Sequence, residues 1–201
     1  GYPFCRGRIF DVVEKDCGQY DTVTEVMWVT GAALFIRLAD YREVGGLDGH
    51  FFAHMEEIDL CWRLRSRGKK LVCIPQSVVY HVGGATLKKE NPRKTFLNFR
   101  NNLLMLYKNL PDKELEHVLF IRGILDRVAA LVFYLKKDRA NARAVMQARR
   151  EFEDIRYSFA ASRIENMMKS TDEIIPERTH FSIVMKYYLL GKKHFSQLKL
   201  F

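Results

Sequence analysis

The spacing of hydrophobic positions changes near residue 88. Before it, apolar residues come in short runs. Val26–Arg37 (VMWVTGAALFIR) is nearly continuous in apolar side chains and holds β-branched and aromatic members, which predicts a strand over about 26–36 buried on both faces. ADYREVG predicts a short helix ended by Gly45 and Gly46. The stretch FFAHMEEIDLCWRLRSRG, Phe51 to Gly68, predicts the next helix. Leu60 and Leu64 share its apolar face, Asp59 can pair with Arg63 at the same spacing, and Gly68 suits a left-handed C-terminal position. KLVCIP and SVVYHV, around Pro75, predict short β-type runs, and GGAT closes this part. From about Arg93 the period is helical: KTFLNFRNNLLMLYKNL, stopped by Pro111, then 113–137, 139–169 and a final SIVMKYYLLGKKHF. The expected fold is an α/β layer over about 26–87 followed by an all-α region, with units at 1–87 and 88–201.

Charge changes at the same place. Residues 1–87 hold 10 Lys/Arg and 11 Asp/Glu, whereas 88–201 hold 23 and 13, so the net charge of +9 comes from the helical region. With 48% hydrophobic and 28% charged residues, 201 residues suffice for a buried core and do not resemble a disordered chain. Such a basic region suits nucleic acid, an anionic membrane surface or water. No recognised nucleic-acid motif accompanies it, so nucleic acid is not expected as a partner. Residues 1–20 lack the apolar core of a signal peptide. The most apolar segment, Val118–Leu135, is interrupted by Arg122, Asp126 and Arg127. Its residues Ile121, Leu125, Val128 and Val132 recur at helical spacing, which predicts an amphipathic helix rather than a membrane span. Cys5, Cys17, Cys61 and Cys73 form no C-x-x-C pair. Reduced cytoplasmic thiols are the expectation, and a zinc site from Cys5, Cys17 and a histidine is the alternative.

Glu56, Glu57 and Asp59 are concentrated in the first turn of the second predicted helix, after a loop with two glycines, two histidines and several apolar residues. Acids there complement the helix dipole, and a solvated, purely structural cluster explains them on that ground alone. Backbone N–H groups and the dipole also keep such a carboxylate ionised, as a general base for a hydroxyl or a metal ligand requires.

The stretch VTGAALFIRLADYREVGGLDGHFFAHMEEIDLCWRLRSRGKKLVCIPQSVVYHVGGAT resembles the acceptor-side part of family 2 glycosyltransferases, of the bacterial kind that build surface polysaccharides and include rhamnosyltransferases. The likeness covers about residues 26–87, and its motifs stand in the family's order: Thr-Gly-Ala, Val-Gly-Gly-Leu-Asp, an aromatic pair, acids running into Asp-Leu-Cys-Trp-Arg, and Tyr-His-x-Gly-Gly. The resemblance implies a partial GT-A-like layer and an inverting transfer from a nucleotide-sugar donor to a saccharide or lipid-linked acceptor. The family's acidic motif is usually Glu-Asp, with the second acid as base. Glu56-Glu57 stands there in this chain, making Glu57 the implied base with Glu in place of Asp. Asp59 and Arg63 would support the helix turn, and Trp28, Thr30 and Gly31 would line the acceptor side, although Trp28 also reads as a plain core aromatic. Asp48 would be a turn former. His81 would ligate the Mg²⁺ or Mn²⁺ that accompanies the diphosphate, and Gly83 and Gly84 would admit that diphosphate.

The family's nucleotide-binding half, with its Asp-x-Asp, has no counterpart in the sequence. The chain therefore reads as the C-terminal part of a larger transferase, inactive alone and holding no metal by itself. With sheet neighbours missing, its layer is expected to expose apolar surface, to be covered by residues 1–25 or by a second copy in a homodimer. The basic helices suit a peripheral position at the inner face of the cytoplasmic membrane. The competing reading, from another functional class, is a non-catalytic basic helical module that binds a membrane surface or nucleic acid.

Overall fold

The computed structural model describes residues 1–82, 91–171 and 175–200. Five helices of nine residues or more dominate it: α2 (Glu56–Ser66), α3 (Pro92–Asn109), α4 (Asp112–Leu135), α5 (Arg139–Ile155) and α6 (Ala160–Met168). A shorter α1 spans Leu38–Glu43. Their ends follow local chemistry. Gly45 and Gly46 take φ of +84° and +68° after α1, and Gly68 takes +75° after α2, as a left-handed C-terminal position requires. Asn91 accepts from the Arg93 N–H to open α3, with Pro92 in its first turn. Asp138 accepts from the Asn141 N–H to open α5.

The β structure is slight. Two antiparallel ribbons are present among the described residues: β1 (Arg8–Ile9) with β2 (Val12–Val13), and β3 (Thr24–Glu25) with β4 (Val72–Cys73), where Thr24 faces Cys73. An α/β part before a helical region is thus present, but the expected buried strand over 26–36 is not. That segment runs extended from β3, donates Val26 N–H to Leu71 O at 2.9 Å, and enters a 3₁₀ turn at Gly31–Ala33. None of its residues is buried, and Phe35 is fully exposed. Strand pairing on one edge leaves its apolar side chains without a second covering layer. Residues 77–82 likewise form no strand and stand exposed.

The main core joins α2 to the helical region. Phe51, Ile58 and Trp62 pack with Leu103, Leu104, Leu106, Phe152 and Phe159 in one cluster, and α3 lies chiefly against α5. A second cluster gathers Val44, Leu60, Cys61, Leu64 and Leu71 on the other side of α2. A third ties Ile9 to Ile183 and Phe195. With both sides covered, residues Ile58–Ser66 are all buried.

Helix α4 reverses the expected amphipathicity. Arg122 and Asp126 are 2% and 0% exposed, while Ile121, Val128 and Val132 stand out to solvent. The buried charges are satisfied inside. Asp126 accepts from Arg122 Nη2 at 3.1 Å, from Arg149 Nη1 at 2.9 Å and from the Tyr2 hydroxyl at 2.9 Å. Arg122 also reaches Asn102 Oδ1. Buried ions persist only with such partners, and the apolar residues are turned outward as a consequence.

Candidate active site

The acids sit where the sequence places them, at the start of α2, on an unusual backbone. Phe52, His54 and Met55 have positive φ of +62°, +71° and +75°, each costing roughly 1 kcal/mol or more for a residue with a side chain. Asn101 of α3, fully buried, holds this loop. Its side-chain amide nitrogen donates to Phe51 O, Ala53 O and His54 O, each at 2.8 Å. Arg100 donates to His50 O at 3.0 Å and turns its guanidinium to Asn101 Oδ1. The loop that presents the acids is thus shaped by α3.

The three acids occupy different environments. Asp59 is fully buried and saturated: Arg63 Nε at 2.9 Å, Lys108 Nζ at 2.9 Å and Asn109 Nδ2 at 2.8 Å all donate to it. Arg63 continues to Val44 O and, at 2.7 Å, to Gly46 O, binding α2 to the turn after α1. Lys108 also donates to Asp48 Oδ2 at 2.8 Å. Burial opposes ionisation of Asp48, but the Lys108 ammonium and the His50 backbone N–H outweigh it and hold the carboxyl down at about 2. Asp59 therefore bonds only to other protein groups, and Asp48 caps the short turn at Gly49–Phe51 by accepting from His50 N–H.

Glu56 and Glu57 lack such partners. Among the described residues, one buried oxygen of each, Oε2, accepts no hydrogen bond, and the buried Nε2 of His54 has none either. Burial pushes the Glu57 carboxyl above its ordinary value and the Glu56 charge adds to this, while nearby backbone N–H groups act the other way. Burial and the Lys94 charge lower the His54 imidazole. A raised carboxyl with an unpartnered oxygen is a stronger base than a solvated one and has an acceptor site to spare.

Gly31 brings the other predicted residues to Glu57. A methyl added at its Cα would lie 3.7 Å from Glu57 Cβ, so the two residues are neighbours and a side chain at 31 would touch Glu57. Trp28, Thr30 and Gly31 also line a cleft of about 1550 Å³, walled opposite by His117, Ile121 and Arg122 of α4. Gly31 therefore borders both the cleft and Glu57, whereas Glu56 and Glu57 do not line it. Trp28 packs against both large clusters, as a core aromatic would, while keeping one edge in the cleft. Thr30 accepts from Ala32 N–H and starts the 3₁₀ turn. His81 is exposed, and Gly83 and Gly84 lie outside the described residues.

Among the described residues no three His, Cys, Asp or Glu side chains converge as metal ligands. Hard divalent cations take several oxygen donors, so these residues alone do not fit an Mg²⁺ or Mn²⁺ ion. The four cysteines are free thiols.

Sequence reasoning missed Asn101, Lys108 and Asn109. Their signal is in NNLLMLYKN: polar residues at 101–102 and again at 108–109, seven apart in an otherwise apolar stretch of helix. That spacing puts them on one face, where buried polar groups must have partners elsewhere.

No family model matches the chain, and no solved structure matches it. Curated proteins do match it, each in part. A pre-mycofactocin glycosyltransferase of Mycobacterium tuberculosis is 31% identical over 141 residues, which is 65% of this chain and 29% of that protein. Rhamnosyltransferase WbbL of Escherichia coli is 33% identical over 69 residues, 34% of this chain and 25% of that protein. An N-acetylglucosaminyl-diphospho-decaprenol L-rhamnosyltransferase of M. tuberculosis is 38% identical over 56 residues, 28% of this chain and 18% of that protein. The chain thus spans less than a third of the length of these relatives, and what it shares with all three is similarity to glycosyltransferases.

Proposed function

We propose that this chain is the acceptor-side, C-terminal part of an inverting family 2 glycosyltransferase with a GT-A-like layer, acting in surface polysaccharide synthesis. The observation that carries the reading is Glu57: a partly buried carboxyl of raised pKa, with one oxygen unpartnered among the described residues, beside Gly31, which lines an apolar cleft. In this reading a hydroxyl of a saccharide or lipid-linked acceptor enters beside Trp28, Thr30 and Gly31. Glu57 takes the hydroxyl proton as the oxygen bonds to the anomeric carbon of the nucleotide-sugar donor. The bond from that carbon to the diphosphate breaks, and the nucleoside diphosphate leaves with the electron pair. Glu56 orients the site and raises the basicity of its neighbour. Asp59 and Arg63 fix the first turn of α2 rather than touch substrate.

A divalent metal, Mg²⁺ or Mn²⁺, would offset charge on the leaving diphosphate. His81 is proposed as one ligand, with Gly83 and Gly84 beside the diphosphate and the other donors supplied from outside the described residues. The reading also places the protein at the inner face of the cytoplasmic membrane, where lipid-linked acceptors are found. No helix of the described residues is long and apolar enough to cross a membrane, so that contact would be peripheral.

The test is Glu57→Gln in the longer protein that carries the donor-binding half. The expected outcome is a kcat lowered by about 10²–10⁴-fold with donor affinity nearly unchanged, because general-base catalysis contributes on that scale. Wild-type turnover in both Glu57→Gln and Glu56→Gln would reduce the acids to a helix-start cluster and favour the non-catalytic module.

A further inference from the structure

Helix α4 carries its apolar residues on the outside. Phe120, Ile124, Val128, Leu131 and Leu135 follow one another at three- and four-residue spacing and are half or more exposed, Phe120 at 69% and Leu135 at 71%. The opposite side of the helix is fixed by the Arg122–Asp126–Arg149 network and by Leu115 and Leu119. The stripe therefore cannot turn inward without breaking buried ion pairs. At 24 residues the helix is about 36 Å long, and the stripe covers its C-terminal two thirds.

The exposed ionic groups around the stripe are mostly cations. Glu116 stands one turn before Phe120, and Glu153 and Asp154 of α5 share a groove with Leu131, as do the exposed Arg143 and Arg150; along α4 from His117 to its end, Arg122 and Asp126 are buried and the exposed charge is Arg127. Lys136, Lys137 and Arg139 follow at the helix end, all exposed. Tyr134, with the Arg139 guanidinium 5.7 Å from its ring centre, stands at the same end. An apolar stripe of Phe, Ile, Val and Leu with cations along its flank and end, and an aromatic hydroxyl at its limit, has the chemistry of a helix lying in the interface of an anionic bilayer. A second copy of the chain suits it less well. In a two-fold contact a patch meets itself, and Arg127, at the middle of the stripe, would face its own counterpart.

We infer that the outer face of α4 is the surface by which this protein lies on an anionic membrane leaflet, with Phe120, Ile124, Val128, Leu131 and Leu135 among the acyl chains and Lys136, Lys137 and Arg139 at the headgroups. The inference rests on the peripheral-membrane reading above and not on the assignment of Glu57. It gives the cleft an orientation: Ile121 lies at the margin of the stripe and also lines the cleft, so a lipid-linked acceptor could pass along α4 without leaving apolar surroundings.

The experiment is co-sedimentation of the chain with vesicles of phosphatidylglycerol and phosphatidylcholine, or of phosphatidylcholine alone, at physiological salt. Circular dichroism and sedimentation velocity are run on each protein. Wild type is expected to bind the anionic vesicles and not the neutral ones. The double variant Ile124→Glu/Leu131→Glu, at exposed positions, should keep its helicity and lose binding by about tenfold or more. Lys136→Glu/Lys137→Glu, which leaves the stripe intact, should lose anionic binding as well. Equal binding by wild type and both variants would overturn the α4 surface while leaving a peripheral position intact. No binding of wild type to anionic vesicles would overturn both. A wild-type dimer that Ile124→Glu/Leu131→Glu makes monomeric would reassign the stripe to a subunit contact.

Discussion

Residues 101–110, the end of α3 and its cap, and residues 26–37 before α1 are both rich in apolar side chains, yet every residue of the first is buried and none of the second is. The first stretch is covered by α2, α5 and α6. The second has a ribbon partner along one edge and a cleft on its face. Apolar content marks a segment that stability would gain from burying; what buries it has to come from elsewhere in the structure. The polar residues invert the same lesson. Asn101, Lys108 and Asn109 look like interruptions of a core helix and are among its most connected side chains.

The comparison is tested most severely at its buried end. Phe152→Ala should cost about 3–5 kcal/mol, because a fully buried ring leaves a cavity that packed helices do not close. Lys108→Met should cost on the order of 3–5 kcal/mol, since it leaves the buried Asp59 and the Asp48 carboxylate short of a cation. Urea unfolding followed by circular dichroism measures both. A loss below 1 kcal/mol in each would mean that the two stretches do not differ as described. Asn101→Ala comes next at about 1–3 kcal/mol, for carbonyls of the acid loop left without a donor. Its distinguishing mark is faster hydrogen exchange confined to residues 51–57.

A pH series sharpens the contrast further. The Asp48 carboxyl is held down at about 2 in the folded chain, below the ordinary aspartate value of about 3.9. A lowered folded value means that stability is present above about pH 4 and is lost as pH falls towards 2. Asp48→Asn should therefore flatten the fall in urea midpoint across that window. Glu57 has the opposite sign: its raised value makes the ionised form a liability in the folded state. Glu57→Gln should leave stability equal or higher at pH 7, with the difference vanishing below about pH 4. The smallest effect is expected at the exposed end, where Phe35→Ser should stay within about 0.5 kcal/mol.

Much of the helical part was legible in the sequence. The stop at Pro111, the helix over Glu56–Ser66, the Asp59–Arg63 pair and the terminal Gly45, Gly46 and Gly68 all follow from local chemistry, and all are seen. The strand over 26–36 was misjudged because its apolar run reports a preference for burial, not the presence of a neighbour. That 118–135 is an amphipathic helix was legible, but which face it buries was not, because Arg122 and Asp126 find their partners on other elements, Tyr2 and Arg149, which periodicity along one helix cannot reveal. At the candidate site, the acids and Gly31 were legible as types and positions. The positive-φ run before them was not, since Phe52, His54 and Met55 carry no glycine to announce it.

That run has a consequence for how the molecule is put together. By order in the chain Glu56 and Glu57 belong with the α/β residues that precede them, but mechanically they are attached to α3, whose Asn101 supplies the template on which residues 51–54 are bent. The 26–37 segment packs on α2 itself, through Trp28, Val29 and Leu34 against the cluster around Leu60 and Leu64. The acids are thus braced from two sides, by α3 through the loop before them and by the wall of the cleft through α2, with Gly31 beside Glu57 where the two supports come together.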